Sequence, residues 1–245
     1  MIERCTGISR LYDLPCDPFC SKITALALTY GFDVGFASFY IIKNKSITGA
    51  LSLLDGHVNI FFPEKADDEI TDELKSFLSF ISPSSISTDK LTAKRLNLKI
   101  SDESYIVKYE NPVFEENNEY SIDVNYKDVY TLLVNSGFEL GGYNDFLSDF
   151  ALRINKRTAN ISLLFNEKNE LISTASQTFI GLKSAVIGCV ATDYRYRGKG
   201  LASKLVESLA QNSEKPVYIF CREDSLAAFY GKIGFKITGR WCTQI

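Results

Sequence analysis

The sequence predicts an α/β protein of the α+β type, in which helices flank a mixed, mostly antiparallel sheet. Its 245 residues are 45% hydrophobic and 23% charged, which is the balance of a globular chain with a sizeable core. Short runs of β-branched and aromatic residues alternate with amphipathic helical repeats along the chain. Several strand-like runs follow one another through tight turns, and this arrangement indicates antiparallel pairing.

The N-terminal half is predicted to contain three helices and five strands. Apolar residues recur at helical spacing in Phe19–Tyr30 and in Asp67–Ile81, and the latter has acidic residues in its first turn, where the helix dipole favours them. Strands at Phe36–Lys43 and Ser46–Leu54 are joined at Asn44-Lys45, which indicates a hairpin. Shorter elements complete this half: strands at Val58–Phe62, near Ile86 and at Tyr105–Tyr109, and a helix at Leu91–Leu96.

The polar segment Asn111–Asn118 is interpreted as a linker, so that the chain divides into residues 1–112 and 113–245. The second part has the predicted order β-α-α-β-β-β-α-β-α-β. Its helices are predicted at Tyr126–Asn135, at Tyr143–Asn155, from Leu201 to Leu209 and at Ser225–Lys232. Its strands are predicted at Tyr120–Val124, Ile161–Phe165, Leu171–Phe179, Ala185–Thr192, Val217–Cys221 and Phe235–Trp241.

Composition and charge argue against several classes of partner. The net charge of −3 gives no reason to expect nucleic acid. No apolar run reaches 18 residues, so we expect no membrane-spanning helix and no membrane partner. The start of the chain lacks the pattern of a secretory signal, which favours a cytoplasmic protein whose six cysteines remain thiols.

The single histidine, His57, limits the chemistry that the chain can perform. It follows a tight turn at Asp55-Gly56 without a G-x-S-x-G elbow, which favours a solvent-facing side chain over a member of a catalytic triad. Sites that need two histidines cannot be built. Cys16 and Cys20 form a close pair without two further ligands, so we expect no metal site.

The segment from Val186 to Leu205 predicts a strand, a loop and the start of a helix. The loop contains Arg197-Gly198-Lys199-Gly200. Free backbone N–H groups at a helix N-terminus bind phosphate or pyrophosphate, and glycine lets the backbone approach the anion. The loop is not a Walker A motif, and it is not a dinucleotide fingerprint because Ser203 occupies the third glycine position.

Two blocks of the sequence resemble the GNAT superfamily of acyl-CoA-dependent acetyltransferases. The family signature (Q/R)-x-x-G-x-(G/A) fits in two registers, Arg195–Gly200 and Arg197–Ala202, and we prefer the second because it places Gly200 and Ala202 at the start of the helix. The block Ser225–Phe235 is similar to the family element N-x-x-A-x-x-F/L-Y-x-x-x-G-F, with serine in place of asparagine. The resemblance covers residues 118–245 and implies the GNAT fold for them.

By this resemblance, acetyl-coenzyme A is the expected cofactor. Backbone groups of Val190 and Thr192 would pair with the pantetheine amides, and N–H groups of the glycine-containing loop would hold the pyrophosphate. Arg197 and Lys199 would contact phosphates, with a solvated side chain as the alternative for Lys199. The residues implied for cofactor binding are Val190, Ala191, Thr192, Arg197, Gly198, Lys199, Gly200, Leu201, Ala202 and Ser225.

The resemblance also implies a catalytic role for Tyr230. A tyrosine at this position of the family protonates the departing thiolate, a task that suits a phenol. The alternative is that Tyr230 faces the core. The family often has a glutamate on the strand before the loop as general base, but residues 184–192 contain no carboxylate. Water relayed by backbone carbonyls, or Glu139, would then take this role.

The N-terminal half has an element order that echoes the same fold, so we expect two GNAT-like lobes in tandem. Its strand-to-helix junction, Phe61–Glu69, ends in three acidic residues and has no glycine, which would repel a pyrophosphate. We therefore interpret residues 1–112 as a degenerate lobe that shapes the acceptor cleft, with Tyr30 and Tyr40 as candidate lining. An unrelated α/β domain is the alternative. Because the chain stops soon after Trp241, we expect this half to supply a strand of the fold.

Taken together, the sequence predicts an N-acetyltransferase that transfers an acetyl group from acetyl-CoA to a small-molecule or peptide amine by direct attack. The identity of the acceptor and the oligomeric state stay open. A non-catalytic acyl-CoA-binding sensor or scaffold is the alternative, suggested by the absent strand glutamate. A phosphate-binding surface on some other α/β protein ranks last.

Overall fold

The computed structural model describes residues 1–44, 47–110 and 124–245. The strands of these residues are β1 Ile2–Arg4, β2 Ala37–Asn44, β3 Ile47–Leu54, β4 His57–Phe61, β5 Ser85–Asp89, β6 Asp102–Tyr109, β7 Asn160–Phe165, β8 Leu171–Ile180, β9 Ala185–Thr192, β10 Val217–Cys221 and β11 Phe235–Gln244. The helices are α1 Pro18–Tyr30, α2 Asp68–Ile81, α3 Lys90–Arg95, α4 Tyr126–Asn135, α5 Tyr143–Asn155, α6 Leu201–Gln211 and α7 Asp224–Gly231. Among them, none has the length and apolar character needed to cross a bilayer.

Most predicted elements are confirmed, and α4, α5, β9 and β10 have the predicted bounds. The short strand β1 was not predicted; it pairs with β2 from Ile2 opposite Ile42 to Arg4 opposite Tyr40. Three residues are too few to show a periodic pattern. The predicted linker Asn111–Asn118 lies outside the described residues, as does the predicted strand Tyr120–Val124 apart from its last residue.

All eleven strands of the described chain belong to one sheet, in the order β1-β2-β3-β4-β5-β11-β6-β10-β9-β8-β7. Apart from β1, the sheet is symmetric about its centre. Counted inward from the two edges, β2, β3, β4, β5 and β11 correspond to β7, β8, β9, β10 and β6. The two halves also share the element order α-β-β-β-α-β-α-β, which begins at α1 in one half and at α5 in the other. The protein therefore consists of two similar lobes in tandem, each with a mostly antiparallel sheet flanked by helices.

The lobes exchange their last strands. β6 of the N-terminal half lies between β10 and β11, and β11 lies between β5 and β6. The antiparallel β6–β11 pair extends from Phe235 opposite Tyr109 to Thr243 opposite Asp102. Val107 of β6 is buried in a cluster with Ile219 and residues of α6 and α7. The expectation that the N-terminal half supplies a strand to the other half is thus confirmed.

Helix α1 packs against both halves of the sheet, over β3 and β4 and over β8 and β9. The Ser21 hydroxyl donates to the Ser184 carbonyl at 2.7 Å, and the Thr29 and Thr158 hydroxyls are 2.6 Å apart. At Gly181, a Cβ atom would lie 2.6 Å from the Ser21 Cα and 2.7 Å from its carbonyl oxygen. The close approach of the β8–β9 turn to α1 therefore requires glycine.

We predict that Gly181→Ala destabilises the protein, because the new methyl group overlaps the backbone of α1. Overpacking of this kind lowers the free energy of unfolding by about 1–3 kcal/mol. Urea denaturation of the purified variant measures the loss. Gly7→Ala is the control, because Gly7 has extended backbone and open space around its Cβ position. Equal stabilities of the two variants would contradict the packing argument.

A second prediction concerns Asp17, the N-cap residue of α1, whose carboxylate accepts from the N–H groups of Phe19 and Cys20. Burial raises the pKa of Asp17 from 3.8 to about 6 despite these hydrogen bonds. The folded protein therefore binds this proton more tightly than the unfolded chain, and stability is lost as pH rises from about 4 to 6.

Asp17→Asn keeps an acceptor oxygen at the cap and removes the charge. We expect the variant to exceed the wild type in unfolding free energy by about 1–3 kcal/mol at pH 7, with little difference below pH 4. Thermal unfolding measured across this pH range tests the prediction. A wild-type stability that rises between pH 4 and 6, with the variant unchanged, would contradict it.

Candidate functional site

The parallel strands β9 and β10 separate partway along their length. They pair only from Ala185 opposite Val217 to Ile187 opposite Ile219. Beyond these residues β9 continues beside β8 as far as Thr192, while β10 continues beside β6. A gap therefore opens in the sheet between the ends of β9 and β10.

A β-bulge on β9 lies at the start of this gap. Thr174 and Ser176, two residues apart on β8, face Ala191 and Gly188, which are three residues apart on β9. The extra residue is accommodated at Cys189, whose φ of 52° lies in the left-handed region. Bulges bend the strand and end regular pairing, which accounts for the divergence of β9 from β10.

The end of β9 directs peptide groups into the gap. Asp193 N–H donates to the Ile172 carbonyl at 2.9 Å, toward β8. Because successive peptide groups of a strand point to opposite sides, the N–H of Thr192 faces away from β8. The Thr192 carbonyl accepts from Arg197 Nε at 3.1 Å. Arg197 thus connects the strand to the following loop.

The loop ends in an uncapped helix. Gly198 and Gly200 have φ values of 77° and 73°, and Gly200 is the N-cap of α6 without a side-chain hydrogen bond to the helix. None of the hydrogen bonds of the described residues uses the backbone N–H of any residue from 198 to 203 as donor. No atom lies within 4 Å of a Cβ position at either glycine. Six consecutive N–H groups are therefore available in open space beside the gap.

The charged side chains of the loop differ in whether they are ion-paired. Arg195 forms a 2.7 Å ion pair with Asp193, which lowers the pKa of the Asp193 carboxyl and raises that of Arg195. Lys199 Nζ lies 5.0 Å from the centre of the Tyr196 ring. Lys204, in the first turn of α6, is exposed to solvent. The local charge is positive, as an anion site requires.

Tyr230 is buried, with 5% of its surface exposed, and belongs to the cluster against which Val190 packs. Its ring lies 5.1 Å from that of Phe229 and 5.8 Å from that of Phe235. Burial, followed by the nearby Cys221, raises the pKa of the Tyr230 phenol. No hydrogen bond of the described residues involves its hydroxyl. Both the core position and a free phenol group are thus present.

Two other candidates lie on the surface. Ser225 is exposed, and its hydroxyl donates to Glu223 Oε2 at 3.0 Å. Glu139 is exposed in the connection between α4 and α5. The cofactor role of Ser225 and the role of Glu139 as a base stay predictions. Tyr40 packs on Phe77 within the N-terminal half, whereas the Tyr30 hydroxyl donates to Asp149 of α5.

The equivalent place in the N-terminal half is closed by its own residues. β4 and β5 pair in parallel only from His57 opposite Ser85 to Asn59 opposite Ser87. Beyond them the Thr88 hydroxyl donates to the Ile60 carbonyl at 3.1 Å. A side-chain hydrogen bond thus joins β4 and β5 at the position where β9 and β10 separate.

The start of α2 differs from that of α6 in the same way. The Asp67 carboxylate caps α2 by accepting from Ile70 N–H at 3.1 Å. The Arg95 guanidinium donates to the Pro63 carbonyl at 2.9 Å and to the Ala66 carbonyl at 2.5 Å. A carboxylate thus accepts from an N–H group at the start of α2, where α6 leaves its N–H groups free, and Arg95 binds the carbonyls of the loop before α2.

Comparison with known proteins agrees with this geometry. Residues 127–235 match the model of the acetyltransferase (GNAT) family. These residues form a GNAT acetyltransferase domain. The match contains the β9–β10 gap, the glycine loop and α7. No curated protein matches the chain.

Solved structures share the fold over both lobes. A GCN5-related N-acetyltransferase from Sphaerobacter thermophilus is 12% identical, with 99% of this chain and 94% of that chain covered and a TM-score of 0.58. A tandem GNAT protein from the clavulanic acid biosynthesis pathway is 14% identical over 97% of this chain and 91% of that chain, with a TM-score of 0.56. For a GCN5-related N-acetyltransferase from Kribbella flavida the values are 13%, 80%, 85% and 0.56. At such identities the likeness concerns the tandem GNAT fold.

Sequence reasoning missed two charged residues on the face of the sheet that α1 covers, opposite to α6. Lys22 of α1 and Arg153 of α5 both lie against the ring of Phe179. A signal was present, since Lys22 is the only charged residue in the helix Pro18–Tyr30. Arg153 carried no such signal, because it lies in an ordinary amphipathic helix.

Proposed function

We propose that the protein is an N-acetyltransferase that transfers the acetyl group of acetyl-CoA to the amine of a small molecule or peptide. One observation carries the proposal: six unpaired N–H groups at the start of α6 lie beside a gap between two parallel strands. A helix N-terminus with free N–H groups suits a pyrophosphate. A strand edge with free peptide groups suits an extended amide-containing chain.

The proposed cofactor site uses the residues named by the sequence. The N–H groups from Gly198 to Ala202 would hold the pyrophosphate, while Arg197 and Lys199 add positive charge. Val190 and Thr192 would offer peptide groups to the pantetheine arm. The Thr192 carbonyl already accepts from Arg197, so its N–H is the group that supports this role.

Acetyl-CoA would supply a reactive thioester, and the protein would supply position and proton transfer. The gap would hold the cofactor so that the neutral amine attacks directly, without a covalent enzyme intermediate. Tyr230 would donate its proton to the departing thiolate. A phenol is protonated at neutral pH, and burial raises the pKa of Tyr230 further, so the hydroxyl keeps its proton until the thiolate forms. Glu139 and water relayed by backbone carbonyls are the candidates for the base.

In this proposal residues 113–245 form the catalytic lobe and residues 1–112 a degenerate companion in the same cytoplasmic enzyme. The closure of the β4–β5 position by Thr88 and the capping of α2 by Asp67 support the degenerate assignment. Ser225 would contribute at the cofactor's edge from the start of α7.

An acyl-CoA-binding module without turnover is the second candidate. The absence of a carboxylate from residues 184–192 favours it, because no base lies on the strand beside the gap. Turnover with an amine library separates the two candidates, whereas cofactor binding is common to both.

We predict that Gly200→Glu, which places a carboxylate at the N-cap of α6, weakens the binding of acetyl-CoA. We expect the Kd for acetyl-CoA, measured by isothermal titration calorimetry, to rise on the order of 100-fold, which corresponds to about 3 kcal/mol. Gly137→Glu is the control, since Gly137 also has a positive φ and open space around its Cβ position. Absence of wild-type binding would refute the proposed function.

The second prediction concerns Tyr230→Phe. The change removes only a hydroxyl that makes no hydrogen bond in the described structure, so the Kd for acetyl-CoA and the stability should stay unchanged. Loss of the general acid should lower kcat on the order of 100-fold. Tyr109→Phe, a buried tyrosine of the same cluster, is the control. If both variants retain wild-type kcat, Tyr230 belongs to the core alone.

A further inference from the structure

Lys22 lies over the opening of the β9–β10 gap, on the face of the sheet that α1 covers. Its Nζ is 5.6 Å from the ring centre of Phe179 on β8 and 5.6 Å from that of Phe220 on β10. Phe220 is the first residue of β10 beyond the last pair with β9. Ile219 and Cys221 point to the opposite face, toward α6 and α7. The Lys22 amine thus lies beside the gap, on the opposite face of the sheet from α6 and α7.

The charges of this region do not balance. Arg153 lies 4.6 Å from the Phe179 ring centre and forms a 2.8 Å ion pair with Asp149, which also accepts from Tyr30. Lys22 has no hydrogen bond and no ion pair among the described residues. Two cations therefore share one aromatic ring, while the Asp149 carboxylate is already engaged by Arg153.

Lys22 is half-buried, and an ammonium group without a counter-ion loses part of its hydration against apolar rings. Burial, and to a lesser extent Arg153, lowers the pKa of Lys22 to about 8, so that the amine is still mainly protonated at pH 7. A methionine or leucine would fill the same space on this apolar helix without that cost. An anion bound there would supply the missing counter-ion.

Unpaired polar atoms lie on the same side of β8. The hydroxyls of Thr174 and Ser176 are buried without a hydrogen-bond partner. Ala175 between them faces the α6 core, so both hydroxyls face the other way. They lie beside the bulged segment of β9.

We infer that Lys22 binds the carboxylate of the acceptor, which is therefore an amine that carries a carboxylate, as α-amino acids do. The inference rests on the proposed function and names its acceptor class. A single uncompensated positive charge matches a carboxylate better than a phosphate dianion. The cofactor's phosphates have their own donors at the start of α6, so the anion at Lys22 belongs to the second substrate.

Binding can be measured without turnover by the fluorescence of Trp241, the single tryptophan of the chain. The Trp241 ring lies 5.5 Å from that of Phe220, so its fluorescence reports on this cluster. Single L-α-amino acids and the corresponding amino acid amides are titrated into the full-length protein. We expect saturable binding of at least one amino acid, with its amide bound at least 10-fold more weakly.

Three variants make the test specific to Lys22. Lys22→Met, of similar length but uncharged, should lose at least 10-fold in amino-acid affinity and leave the affinity of the amide unchanged. Lys22→Arg should retain part of the affinity. Lys156→Met removes an exposed positive charge just beyond α5 and should behave as wild type. The ratio of kcat/KM for acid and amide should shift in parallel.

Separate titration with acetyl-CoA distinguishes the two proposals. Acetyl-CoA binding without Lys22-dependent amino-acid binding would overturn the carboxylate inference and leave the cofactor site intact. Lys22-dependent amino-acid binding without acetyl-CoA binding would support the anion site and overturn the acetyltransferase proposal. Equal binding of acids and amides, or binding of neither, also overturns the inference.

Discussion

The β6–β11 pair is the contact on which the rest of the structure depends. Each of the two strands ends one lobe in sequence and lies within the sheet of the other lobe. Val107 of β6 is buried in the core that contains Tyr230, so the N-terminal half completes the core of the GNAT domain. Removal of either strand would expose apolar surface and unpaired peptide groups in both lobes. We therefore expect the halves to fold as one unit.

Within this frame, the two lobes differ mainly in whether their polar groups are satisfied internally. The same strand separation occurs at β4–β5 and at β9–β10. At the β4–β5 separation, Thr88, Arg95 and Asp67 supply hydrogen bonds from the chain itself. At the β9–β10 separation, residues 198 to 203 offer N–H groups without acceptors. An identical topology thus gives a closed position in one lobe and a candidate binding site in the other.

The companion lobe contributes more than a strand to the candidate site. α1 crosses both halves and is fixed at Gly181 by a backbone approach that leaves no room for a Cβ. This position brings Lys22 to the gap and Tyr30 to Asp149 of α5. In the proposed function, both lobes would contribute to the acceptor side of the site and the C-terminal lobe alone to the cofactor side.

Features that depend on near neighbours in the chain could be predicted from the sequence. Helical periodicity was sufficient for the bounds of α4 and α5, and two glycines before an amphipathic repeat were sufficient to place the loop that precedes α6. The tertiary structure alone decided which strand enters which lobe, where β9 leaves β10, and that Lys22 lies at the gap. These depend on pairing between residues far apart in the chain. Local patterns carry no information about such partners, because the free energy of strand pairing is gained only when distant segments meet.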